Sequence, residues 1–126
     1  NELFSSLDMH SFADRRIGQL STGMKQKTSI VRTIIHDPPV LIFDEPTSGL
    51  DIMTSRAIMD LIRKCKDDGK TVIFSTHRMG EINQVCDDIA IIFNGKLYCN
   101  DPLEKFKNEM TKDNFEDEFI FRVGEK

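Results

Sequence analysis

Three short strand-like runs fix most of what this chain can become: Val40-Leu41-Ile42-Phe43, Thr71-Val72-Ile73-Phe74 and Ile89-Ala90-Ile91-Ile92-Phe93. They are rich in β-branched and aromatic residues, and the first is apolar throughout. Continuous apolar runs of this length predict strands buried on both faces, as in parallel sheets covered by helices. Helical patterns separate them. Strand, helix, strand, helix, strand predicts an α/β chain whose parallel sheet is joined by crossover helices.

The helical segments have legible ends. Ser21 is placed to cap a helix carrying Met24, Thr28, Val31, Ile34 and Ile35, which Asp37-Pro38-Pro39 stops. Asp51 is placed to cap a second, whose stripe of Ile58, Leu61, Ile62 and Cys65 runs toward Gly69, a C′ residue. Met79, Ile82, Val85 and Cys86 mark a short helix. Asn94-Gly95 predicts a hairpin turn into Lys96-Leu97-Tyr98-Cys99. Leu103 and Phe106 predict a last helix, and Phe119-Ile120-Phe121 a late strand in a charged tail. Leu3, Phe4 and Leu7 could share a helical face in a weakly patterned start.

With 126 residues, 39% hydrophobic and 30% charged, the chain is long enough for one domain with a core. Its net charge of -4 gives no electrostatic reason to seek nucleic acid or anionic lipid. No apolar run approaches the roughly 18–20 residues that span a bilayer. Cys65, Cys86 and Cys99 are odd in number and contain no C-x-x-C pair, which predicts reduced thiols rather than a zinc site or disulfides.

In open parallel sheets ligands bind beyond the carboxyl ends of the strands. Here the first strand ends in Asp44-Glu45 and the second in Ser75-Thr76-His77. Neighbours on a strand point to opposite faces, so the two acids have different tasks unless the chain turns between them. One suits a hydrated Mg²⁺ and the other an attacking water.

Val40 to Asp51 reads V-L-I-F-D-E-P-T-S-G-L-D and resembles the Walker B strand and D-loop of ATP-binding-cassette (ABC) ATPases. Leu20-Ser21-Thr22-Gly23-Met24 is similar to that family's L-S-G-G-Q signature, and Ser75-Thr76-His77 to its switch-histidine loop. The order and spacing match the family from Asp14 to about Glu104. The wording looks closest to bacterial exporter ATPases of the sodium and drug type. The implied fold is a P-loop NTPase-like parallel sheet, of which this chain is the C-terminal part. Residues 1–36 would end the helical subdomain and carry the signature helix. Residues 37–100 would hold Walker B, D-loop and switch histidine, and 101–126 a C-terminal helix and tail.

The resemblance implies ATP and Mg²⁺ as ligands, held between two cassettes arranged head to tail. By motif position Asp44 would bind the metal, Glu45 would polarise the attacking water, and His77 would contact the γ-phosphate. Ser21, Thr22, Gly23 and Met24 would face nucleotide bound mainly to the opposite cassette, and Asp51 would reach toward the partner's phosphate loop. A transmembrane permease would be the other partner, placing the protein at the cytoplasmic face of a membrane, with no nucleic acid. The signature departs from the family at Thr22, where a glycine is usual, and at Met24, where glutamine is usual. Phosphoryl transfer needs positioning and charge stabilisation, and a helix N-terminus such as that at Ser21 is an anion site.

No Walker A loop, G-x-x-x-x-G-K-[ST], occurs. Gly18 to Lys25 has Met24 where Lys belongs, and before Gly69-Lys70-Thr71 the earlier glycine position holds Lys64. The expectation is that this loop lies upstream of Asn1, that the complete domain hydrolyses ATP to drive transport, and that this stretch alone does not. A soluble ABC ATPase of DNA repair or translation, and a non-catalytic interaction module, are the alternatives. A natural half-cassette lacking the loop is a further one.

Overall fold

A computed structural model of the chain describes residues 2–124, in two compact units that divide between His77 and Arg78. The first unit holds α1 (Glu2–Ser6), α2 (Thr22–Ile34), β1 (Val40–Asp44), α3 (Ile52–Asp67) and β2 (Thr71–Ser75). Single 3-10 turns at His10–Phe12 and Ile17–Gln19 join α1 to α2. β1 and β2 pair in parallel from Val40↔Thr71 to Asp44↔Ser75, with α3 as their crossover. The expected parallel α/β unit is therefore present.

Local chemistry sets the helix ends. Ser21 Oγ accepts from Met24 N–H at 3.2 Å, and Asp51 Oδ1 accepts from Thr54 N–H at 2.8 Å. Gly69 closes α3 at φ +88, with Gly69 N–H donating to Lys66 O and Lys70 N–H to Cys65 O. That pair of bonds is the Schellman C-cap, which needs a left-handed residue best supplied by glycine. α3 buries Ile58, Leu61, Ile62 and Cys65, as its stripe predicts. α2 stops at Ile34, and Ile35, expected on the inner stripe, is exposed.

Two expectations for the strands change. β1 is buried on one face only: Leu41 and Phe43 are covered, while Val40 and Ile42 stay open, Ile42 at 69%. Ile73 on β2 is likewise exposed, so among the described residues nothing covers the second face of this pair. The third strand does not join the parallel sheet.

Instead, in the second unit, β3 (Asp88–Phe93) forms an antiparallel hairpin with β4 (Lys96–Pro102). Asn94 at φ +48 and Gly95 at φ +74 supply the two left-handed residues that the tight hairpin turn requires. A bulge at Tyr98, between the pairs Ile91↔Cys99 and Ile92↔Leu97, turns Tyr98 onto the core while Leu97 stays exposed. α4 (Ile82–Val85) precedes β3, and α5 (Leu103–Glu109) follows β4.

The predicted late strand at Phe119-Ile120-Phe121 is helix: α6 spans Phe115–Gly124. Phe115, Phe119 and Val123 recur every fourth residue and pack against the buried Ile91, Cys99 and Phe106. Asn114 caps this helix through Oδ1, which accepts from Asp117 N–H at 2.8 Å. Glu118 is 1% exposed, and its carboxylate accepts from Thr111 N–H, Lys112 N–H and Arg122 Nε. The run Phe119-Ile120-Phe121 suggests a strand; capping and a buried acid on the helical repeat decide otherwise.

The three cysteines are free thiols. Burial raises the pKa of Cys65 and Cys99 above the ordinary thiol value, which suits packing rather than reactivity. No described helix is long and apolar enough to cross a membrane.

Candidate functional site

The carboxyl ends of β1 and β2 lie side by side because the strands pair in parallel register. Asp44 stands directly opposite Ser75, and Ser75 Oγ donates to Asp44 Oδ1 at 2.5 Å. The next residue, Glu45, has φ +44. The chain therefore turns between the two acids, the one condition under which adjacent carboxylates can serve a common site. Glu45 N–H is shared between Ser75 O at 3.1 Å and Ser75 Oγ at 2.9 Å.

Beyond this turn Glu45 Oε1 meets His77 Nδ1 at 3.0 Å. An ionised carboxylate only accepts, so against it the imidazole carries its proton on Nδ1. Asp44, Ser75 and His77 are exposed and Glu45 is half-buried, so the cluster is open to a ligand. Sequence reasoning picked out Asp44, Glu45 and His77, and the structure brings these three together. It assigned no task to Ser75. The signal for Ser75 was the pairing register, which no local pattern reveals.

The segment after Glu45 folds tightly. Ser48 N–H donates to Glu45 O and Leu50 N–H to Thr47 O, over the buried Pro46 and Thr47. Asp51 follows as the cap of α3, where Thr54 N–H and Thr54 Oγ1 hold its carboxylate below the usual pKa. This keeps Asp51 an exposed anion at a helix N-terminus.

Ser21, Thr22, Gly23 and Met24 form the cap and first turn of α2. Two contacts tie this turn to the β1–α3 connection. Gln26 Nε2 donates to Pro46 O at 2.8 Å, and a Cβ added to Gly23 would lie 3.5 Å from Leu50 Cδ2. That is ordinary van der Waals contact, so packing alone does not demand glycine at position 23. Gln26, absent from the sequence-derived site, is the residue that bridges the two motifs. Its role was hidden because its partner is a backbone carbonyl twenty residues away.

Among the described residues no group of three His, Cys, Asp or Glu side chains could hold a metal ion. Asp44 with the Ser75 hydroxyl is too sparse a set to cage a cation. It fits Mg²⁺, which keeps several waters and takes its remaining oxygens from phosphate.

The family model described as "ABC transporter" matches residues 1–48. The ABC transporter ATP-binding protein NatA of Bacillus subtilis is 38% identical over 113 residues, 89% of this chain and 46% of that protein. A solved dimeric ATP-binding cassette, in a post-hydrolysis state bound to ADP and Pi, is 31% identical with a TM-score of 0.73. The match covers 81% of this chain and 44% of that one. A structure described as the ATP binding subunit of an ABC transporter has a TM-score of 0.85 at 24% identity. It covers 97% of this chain and 52% of that one, and shows the same fold. The chain spans less than half the length of the curated relatives it matches.

Proposed function

The chain belongs to the family of ABC transporter ATP-binding proteins, and from that premise we propose that its complete protein binds and hydrolyses ATP to drive transport across a membrane. The observation that carries this is the 3.0 Å contact between Glu45 and His77, with Asp44 pinned beside them at adjacent strand ends. Phosphoryl transfer to water needs a positioned nucleophile and compensation of phosphate charge. Glu45 orients the attacking water and takes its proton. His77 fixes the Glu45 carboxylate through Nδ1 and presents Nε2 to the γ-phosphate. Donation from Nε2 to phosphate while Nδ1–H faces Glu45 requires a proton on each ring nitrogen. Asp44 would hold Mg²⁺, which when bound would supply charge neutralisation to the phosphates.

Ser21, Thr22, Gly23 and Met24 present a helix N-terminus to the γ-phosphate of a nucleotide bound chiefly by a second cassette. The unpaired amides and dipole of such a terminus favour an anion. Support comes from Gly23, which the packing against Leu50 does not explain and which lets backbone approach phosphate closely. Asp51 extends toward the partner cassette, and a transmembrane permease is the further partner, at the cytoplasmic face. The 126-residue stretch contains no G-x-x-x-x-G-K-[ST] loop, and by itself it hydrolyses no ATP.

The test is steady-state ATP hydrolysis by the full-length gene product and its Glu45→Gln variant. Glutamine keeps the shape but cannot take a proton. Turnover should fall by a factor of about 10²–10⁴ while ATP still binds. A variant as active as the wild type would remove Glu45 from the chemistry.

A further inference from the structure

Glu45, at φ +44, occupies a left-handed backbone conformation that an L-residue bearing a side chain rarely adopts. Such a conformation persists only where its surroundings fix it. On the N–H side of Glu45 the contacts come from Ser75, whose carbonyl and hydroxyl both accept from Glu45 N–H, while Ser48 N–H donates to Glu45 O. The same hydroxyl spends its one proton on Asp44 Oδ1. Ser75 Oγ thus touches the backbone of one acid and the side chain of the other. Neither burial nor strand formation asks for a hydroxyl at this place. Ser75 is exposed, and a β-branched apolar residue would extend β2 at least as well.

We infer that Ser75 is a positioning residue, whose hydroxyl sets the carboxylate of Asp44 toward the metal and holds the turn that aims Glu45 at the water. This rests on the roles of Asp44 and Glu45 given above. One oxygen links the two, so losing it disturbs cation binding and hydrolysis together. A hydroxyl serving only stability would leave the cation requirement untouched.

The experiment compares Ser75→Ala, Ser75→Val and Ser75→Thr with wild type in the full-length protein. Three quantities are read: hydrolysis rate, melting temperature, and the Mg²⁺ concentration giving half-maximal binding of a non-hydrolysable ATP analogue. Ser75→Ala should lower the rate and raise the Mg²⁺ requirement about tenfold each, the scale of one hydrogen bond to a charged group. Ser75→Thr keeps the hydroxyl and should return both to near wild type. If Ser75→Ala does not fold, Ser75→Val against Ser75→Thr makes the same comparison between side chains of nearly equal shape. Wild-type values in the variants without a hydroxyl overturn the inference. So does a lowered melting temperature with an unchanged Mg²⁺ requirement. Glu45→Gln is run alongside. If it abolishes hydrolysis while Ser75→Ala is normal, Ser75 alone is wrongly assigned; if it hydrolyses normally, the roles of both residues fall together.

Discussion

Two carboxylates in this chain, Glu45 and Glu118, have opposite surroundings. Glu118 is 1% exposed, and its oxygens accept from two backbone amides, the Thr111 hydroxyl and Arg122. The Glu45 side chain is 41% exposed and meets His77, itself 66% exposed. Glu118 sits in an ordinary helix, whereas Glu45 sits at a strained turn. A carboxylate whose lone pairs are all engaged by its own chain has nothing left for a ligand. It holds structure. A carboxylate positioned by one neighbour and open to solvent keeps acceptor capacity for a reacting water.

That contrast is breakable by substitution. The largest effect expected is on turnover: Glu45→Gln should remove hydrolysis and leave stability within about 0.5 kcal/mol, as for other exposed positions. A large stability loss on chemical denaturation would place Glu45 in the structural class instead. Glu118→Ala should do the reverse. Leaving the Thr111 and Lys112 amides and Arg122 without their acceptor should cost about 3 kcal/mol. Hydrolysis per folded molecule should not change. Unaltered denaturation would mean that the network contributes nothing.

Acid sharpens the same comparison. Burial pushes the Glu118 carboxyl up, but Arg122 and the amides of Thr111 and Lys112 outweigh it and hold the folded value below the usual glutamate pKa. A carboxyl depressed on folding stabilises fully above its unfolded pKa, about 4.3, and loses that contribution as pH falls through the lower folded value. Urea midpoints measured from neutral to acid pH should therefore drop more steeply below pH ~4 in wild type than in Glu118→Gln. Parallel curves would exclude Glu118 as a source of acid lability. The smallest effect is at Ser21, where Ser21→Ala removes an N-cap and should cost about 1 kcal/mol. A loss of nucleotide-dependent dimerisation larger than that figure explains would separate its ligand role from its capping role.

What was legible beforehand was mostly what is local. Ser21, Asp51, Gly69 and Asn94-Gly95 specify their caps and turns through bonds spanning a few residues, and each is where the sequence places it. The acids and His77 were legible because strand ends in a parallel sheet share an edge. The one-sided exposure of β1 and β2 was hidden, since an apolar run does not say what covers it. The pairing of β3 with β4 competed with a place in the parallel sheet, and the Asn94-Gly95 turn already favoured the hairpin. The helix at Phe119-Ile120-Phe121 was missed because Glu118, an acid, fills an inward position that hydrophobic periodicity assigns to apolar residues. Ser75 and Gln26 escaped notice because their partners lie 31 and 20 residues away.

The parallel pairing of β1 with β2 also imposes an order in time. Asp44 and Ser75 are 31 residues apart, and a parallel pair cannot close until its crossover has been made. At about 5–20 residues per second, a ribosome delivers Ser75 roughly 2–6 s after Asp44. During that interval both acids emerge with neither hydroxyl nor imidazole to meet them. Closing the loop over α3 is what brings Ser75 and His77 to Asp44 and Glu45.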